Sequence, residues 1–306
     1  MKKETIVFSG HNGVQLPAII WKPEAEVKAV LQITHGMTEH MERYDTFAAE
    51  LCKHGIAAAG FDLRGHGKNS GDPQLAAFGE HGWEASLEDM KLFRQLLKEE
   101  FSDVPHAMLG FSLGSFLLRE YLGKYPDDSS AAIIMGTGHQ PGWLLSVMIS
   151  IVNGQIKKAG LDGSTDLIKK LSFGTYNQKF KPNRTEADWL CADQQQLDEY
   201  LKDPLVRKNI SAGLFRDLLA SMKRSGKVSA YDTWNKNLPV LLISGQDDPV
   251  GDSGKGVQKV YQQMQKAGMK QTELRMIGNA RHDVLHEKGN SIGEVCRWLL
   301  KEFDIE

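Results

Sequence analysis

The stretch Gly110-Phe111-Ser112-Leu113-Gly114 decides how this sequence folds. An apolar run, Ala107-Met108-Leu109, leads into it, and a helix-like run, Phe116-Leu117-Leu118-Arg119-Glu120, leads out. A strand that passes into a helix through one tight turn forces the central residue into a strained backbone and exposes its side chain. Glycines on either side let such a turn close without a Cβ clash. Ser112 is therefore a candidate nucleophile, and the helix after it would point its positive end at the site. The bland alternative is a glycine-rich strand–helix turn with an ordinary serine. The flanking runs favour the elbow.

Working outward, short apolar runs alternate with helix-like segments. Ile6–Ser9 and Ala18–Trp21 read as a hairpin turning at His11-Asn12-Gly13. Strands are expected at Lys28–Thr34, Ile56–Asp62, His106–Phe111, Ala131–Gly136, Val240–Ser244 and Thr272–Ile277. Helices are expected at Tyr44–His54 (ended by Gly55), Trp83–Phe101, Leu113–Tyr125, Lys255–Ala267 and Ile292–Phe303. Strand–helix alternation implies an α/β fold, a mostly parallel sheet flanked by helices. From Thr137 to about Tyr231 no convincing strand is seen. Residues 1–136 and 232–306 are thus expected to form the core, and 137–231 an inserted helical cap over the carboxyl edge of the sheet, where such sheets place ligands.

Composition narrows the class. The chain has 306 residues, 37 Lys+Arg against 39 Asp+Glu, 41% hydrophobic and 25% charged residues, enough to bury a sizeable core. A net charge of −2 argues against a general binder of nucleic acid or anionic membrane. Cys52, Cys191 and Cys296 are odd in number and far apart, so a disulfide framework and a zinc cluster are not expected and a reducing, cytoplasmic interior is. No apolar run follows Lys2-Lys3 to suggest a signal peptide, and Trp143–Val152 is short of the about 20 residues that span a bilayer.

A serine hydroxyl needs a positioned base. Of ten histidines, chain order favours a late one. His282 and His286 both qualify, and His282 directly follows the last strand. His286 is expected to be a solvated surface residue. The acid should follow strand Val240–Ser244, where Asp247 and Asp248 are adjacent and Asp252 is near. Only one of two neighbours can face the imidazole. Asp248, fixed by the following Pro249, is preferred over Asp247. Oxyanion donors are expected from the backbone N–H groups of Leu113 and Met37, and His35 is expected to brace its loop.

Three motifs together resemble the α/β-hydrolase superfamily, in the branch of monoacylglycerol lipases, lysophospholipases and serine-aminopeptidase-like hydrolases. They are His35-Gly36-Met37-Thr38-Glu39-His40-Met41-Glu42-Arg43-Tyr44, Asp62-Leu63-Arg64-Gly65-His66-Gly67, and the serine elbow. Lys68-Asn69 puts Ser70 one place later than is usual in that branch. The resemblance implies a Ser112–Asp248–His282 triad, a covalent acyl-enzyme, no metal or organic cofactor, and loop-bracing roles for Arg64 and His66. It implies a small ester or lipid substrate: a monoacylglycerol, a lysophospholipid or a short acyl ester. An aminopeptidase or amidase with the same triad, or a non-catalytic binding protein, are the other readings. No carboxylate cluster suited to a substrate α-amine is seen, which weighs against the peptidase. The segment Gly142–Val152 is apolar around most of a helix, apart from Ser146, Ser150 and Asn153. It is expected to be buried by packing, with an acyl-tunnel wall or a lipid-contacting edge as the functional alternative.

Overall fold

A computed structural model describes residues 1–69 and 71–305. Ser70, the one departure from the second motif, lies outside the described residues. The chain opens with β1 (Lys2–Ser9) and β2 (Gln15–Lys22), an antiparallel hairpin in which Phe8 faces Leu16. Its turn holds Asn12 at φ 59° and Gly13 at φ 73°. Then follow β3 (Ala29–Thr34), α1 (Asp45–Lys53) and β4 (Ile56–Phe61). Next come the two-residue strand β5 (Leu75–Ala76), α2 (Gly82–Glu100), β6 (His106–Phe111), α3 (Leu113–Lys124) and β7 (Ala131–Met135). The inserted stretch carries α4 (Gly142–Ala159), α5 (Asp166–Ser172), α6 (Gln194–Lys202), β8 (Asn209–Ile210) and α7 (Ala212–Ser225). β9 (Val240–Gly245), α8 (Lys255–Lys266), β10 (Thr272–Ile277) and α9 (Ser291–Glu302) complete the chain.

The main sheet has eight strands in the order β1-β2-β4-β3-β6-β7-β9-β10, parallel from β4 to β10. The central strands β3, β4, β6, β7 and β9 are buried along their whole length, which is why they read as unbroken apolar runs rather than alternating ones. Their side chains still alternate between two cores. Val30, Met108, Ile134 and Leu242 face α2, α3 and α8, meeting Phe93, Phe116 and Val260. Leu31, Leu109, Ile133 and Ile243 face α1 and α9, meeting Phe47, Leu51 and Trp298.

The expected elements are present, with ends shifted by a few residues. Two expectations fail within the inserted stretch. It does contain a strand: β8 pairs in parallel with β5, Leu75 opposite Asn209 and Ala76 opposite Ile210. Two residues are too few for any period, and the pairing is imposed from outside. The Arg207 guanidinium donates to the carbonyls of Pro73 and Gly67 and holds the two segments together. The second concerns α4, which is buried on one side only. Leu145 and Val152 pack toward α7, whereas Trp143, Val147 and Ile151 stand 72%, 51% and 40% exposed. Ser146 and Ser150 return their hydroxyls to the carbonyls of Gly142 and Ser146, so neither demands a buried partner. Among the described residues, no helix is long and apolar enough to cross a membrane.

Candidate active site

Ser112 lies between β6 and α3 with φ 51° and ψ −114°, a conformation that costs an L-residue roughly 1–3 kcal/mol. The neighbours hold it there. The Ser112 N–H donates to the Met135 carbonyl at 2.9 Å, and the Ser112 carbonyl accepts from the Ser115 hydroxyl at 2.6 Å. A Cβ at Gly110 would run into the Gly114 carbonyl, and one at Gly114 into the carbonyl of Thr34. Glycine is required at both positions by close backbone approach.

The late loops meet this serine. His282 Nε2 lies 2.8 Å from Ser112 Oγ, and its Nδ1 lies 2.9 Å from Asp248 Oδ1. Asp248 is fully buried, and its carboxylate also accepts from the Val250 N–H at 2.8 Å and the Ser244 hydroxyl at 3.1 Å. Asp247 points away, half exposed and 3.7 Å from Lys179 Nζ, while Asp252 is exposed. His286 is not the solvated residue expected from sequence. Its Nδ1 meets Asp283 Oδ1 at 2.9 Å and its Nε2 meets the Arg43 carbonyl at 3.0 Å. Burial works to lower its pKa, but the Asp283 carboxylate prevails and raises it. Asp283 is only three positions away, but the contact that buries the ring against the core comes from Arg43, 243 positions distant, and no local pattern announces it.

The loop after β3 is held by buried charge. Glu39 accepts from the Gly36 N–H at 2.6 Å, the Tyr44 hydroxyl at 2.9 Å and Arg43 Nε at 3.0 Å. Arg43 also donates to Asp283 Oδ2 at 2.7 Å, so one guanidinium joins this loop to the residue after His282. Removing one member of such a buried set leaves its partners uncompensated, at a cost of about 3–5 kcal/mol. Thr38 sits at φ 71° and its hydroxyl meets Tyr200 of α6 at 2.8 Å. A Cβ at Gly36 would lie 3.0 Å from the Phe111 ring, which places this loop against the elbow. Neither the Met37 nor the Leu113 backbone N–H has an acceptor among the described residues.

Two further histidines brace the floor. His35 Nδ1–H donates to the Gly36 carbonyl at 2.7 Å and its Nε2 accepts from the Leu63 N–H at 2.9 Å, so the ring is neutral. Burial lowers its pKa. His66 donates from Nδ1 to the Arg64 carbonyl, and burial pushes its pKa down to about 3. Arg64 grips Asp89 through two nitrogens, at 2.6 and 3.0 Å. The inserted stretch reaches the site too. The Trp189 ring lies 5.3 Å from the His282 ring. Sequence reasoning missed this residue, since a lone tryptophan between polar segments carries no periodic signal.

A strained serine at the carboxyl edge of a sheet with this strand order, backed by an imidazole and a buried carboxylate, defines an α/β-hydrolase. A family model described as serine aminopeptidase, S33, matches residues 25–289, and the chain belongs to that family. Among its relatives is an uncharacterized abhydrolase domain-containing protein of Dictyostelium discoideum, 26% identical over 296 residues. The match covers 93% of this chain but 27% of that longer protein. A monoacylglycerol lipase of Mycolicibacterium smegmatis is 23% identical over 301 residues, which cover 96% of this chain and 95% of that one. The crystal structure of a thermostable carboxyl esterase from Bacillus coagulans, in complex with glycerol, superposes with a TM-score of 0.90. Identity there is 21% and coverage 99% of each chain, so it shares the fold.

The buried histidines predict acid lability. The unfolded chain takes up protons on His35, His66 and His106 below about pH 6.5. The folded chain does not, because burial holds His35 low, His66 at about 3 and His106 at about 4. Stability is therefore complete above pH 6.5 from these groups and falls as pH drops below it. His66 alone accounts for about 1.5 kcal/mol between pH 6.5 and 5, and the other two act in the same direction. His286, whose pKa the Asp283 carboxylate raises, acts oppositely, and its contribution is lost as pH rises through that raised pKa. Urea unfolding at pH 7 and pH 5 measures the difference; equal stabilities contradict it.

Proposed function

We infer that this chain hydrolyses carboxylic esters by covalent catalysis at Ser112. One observation carries the reading: Ser112, His282 and Asp248 form an unbroken hydrogen-bonded series at 2.8 and 2.9 Å. The Ser112 proton passes to His282 Nε2 as Oγ bonds to the ester carbon. Asp248 keeps Nδ1 protonated and stabilises the imidazolium that forms. The Met37 and Leu113 N–H groups, without acceptors among the described residues, are suited to the oxyanion. Collapse of the tetrahedral intermediate breaks the ester C–O bond, and His282 returns the proton to the departing alcohol. Water, deprotonated by His282, then attacks the acyl-enzyme and releases the acid and Ser112. No step calls on a cofactor.

The substrate class proposed is a monoacyl ester such as a monoacylglycerol or lysophospholipid, with residues 137–231 serving as its cap. Two observations support an ester over an amino-terminal peptide. The carboxylates of Glu39 and Asp283, on the loops beside the site, are already engaged by Arg43 and other donors and so are poorly suited to hold a substrate ammonium. The outer face of α4, with Trp143, Val147 and Ile151 in water and Lys157 and Lys158 at its end, suits an enzyme that meets amphiphiles. The name of the Mycolicibacterium relative points the same way.

Turnover of p-nitrophenyl esters of increasing chain length, set beside alanine and proline anilides, tests the reading. Ester hydrolysis is expected, and is abolished in Ser112→Ala without loss of fold. Cleavage of the anilides alone would overturn it in favour of a peptidase. Asp248→Asn is expected to lower kcat by three to four orders of magnitude and Asp247→Asn by less than threefold. The reverse ranking contradicts the assignment of the acid.

A further inference from the structure

We propose that Trp189 is a positioning residue that holds the His282 imidazole in its working orientation. The inserted segment then completes the base as well as covering the substrate. The proposal rests on the Ser112–His282–Asp248 reading above. The imidazole has two polar partners, Ser112 and Asp248, and its side chain is 2% exposed. Two aromatic rings also pack near it. Phe111, from the end of β6, lies 5.0 Å away, and Trp189 lies 5.3 Å away at an interplanar angle of 38°. Gly136 closes the ring edge, since a Cβ there would sit 3.0 Å from His282 Cε1. Of these neighbours only Trp189 belongs to residues 137–231.

Trp189 is itself tightly held. Phe173 stacks on it at 5.7 Å and 20°, Tyr176 contacts it at 5.1 Å, and its backbone N–H donates to Asn177 Oδ1 at 2.9 Å. The residues around it are sewn to the histidine loop. The Asp283 N–H donates to the Leu190 carbonyl at 2.8 Å, and Arg281 donates to the carbonyls of Asp188 and Cys191. Glu287 accepts from the N–H groups of both Arg281 and Ala192, at 2.7 and 2.9 Å. Arg281 also lies over the Phe180 ring at 4.3 Å. These bonds tie the strap Asp188–Ala192 to the loop that carries His282.

Two physical effects follow. The indole is one of the rings packed against the buried imidazole, and the Nδ1–carboxylate bond is stronger out of water. The indole π-face also attracts the imidazolium, which exists only after the proton has moved. Both favour the transition state over the ground state, so the effect falls on kcat and not on KM.

Kinetics on a short, water-soluble acetyl ester test this, since so small an acyl group makes little use of the cap. Trp189→Leu is expected to lower kcat about tenfold with KM within twofold, and Trp189→Phe to recover most of the loss. Unchanged kcat in Trp189→Leu overturns the proposal, as does a change confined to KM, or a phenylalanine no better than leucine. If Trp189→Leu does not fold, Phe173→Leu, which removes the ring stacked behind the indole, takes its place. A lowered kcat at constant KM is again expected, and a wild-type kcat again overturns it. Full activity in Ser112→Ala would instead sink the catalytic reading on which the proposal rests.

Discussion

The first turn of α3 lies directly against the carbonyl end of β3, and only a hydrogen at Gly114 makes room for it. That close approach sets everything else at the site. It forces Ser112 into a positive φ, because the chain has no longer path from β6 into the helix. It brings the His35–Met37 loop onto the elbow, so that the Met37 and Leu113 amides come from two segments with one shared backbone contact. The strain at Ser112 is tolerated because Met135 and Ser115 fix its backbone from both sides. A looser turn would leave the hydroxyl free to rotate away from the imidazole.

The second requirement is that loops from distant parts of the chain hold still together. Arg43 does this with one guanidinium, bonded to Glu39 under the loop after β3 and to Asp283 beside His282. Burial opposes its charge, and the two carboxylates outweigh burial and keep it protonated. On the other side of the imidazole, the strap from Asp188 to Ala192 fastens the inserted segment to the same loop. His282 thus stands between a core clamp and a strap, and its geometry reports on both.

Much of this was legible in the sequence because a few constraints are local. The apolar runs at Lys28–Thr34, Ile56–Asp62 and Val240–Ser244 fall within a residue or two of β3, β4 and β9, since strands buried on both faces have no polar alternation to blur their ends. The elbow declared itself through paired glycines. Chain order pointed to His282 and to the loop after Val240–Ser244, and Pro249 favoured Asp248 over Asp247; His282 lies against Ser112 and Asp248 against His282. What stayed hidden depends on long-range contacts. The tie of His286 to Arg43, the pairing of β5 with β8, and the approach of Trp189 to His282 each join segments that carry no shared period. The α4 helix was misread for a related reason. Its composition demanded burial on most sides, yet only the Leu145–Val152 side finds a partner, and nothing local says which side that will be.

The central claim is that folding, not the serine itself, makes Ser112 nucleophilic. Reaction of the native protein with a fluorophosphonate, followed by peptide mapping in a mass spectrometer, tests it most directly. One phosphonyl group per chain, carried on Ser112 and absent from urea-unfolded protein, is the expected result. A native protein that stays unlabelled, or that carries the group on any other residue, contradicts the account.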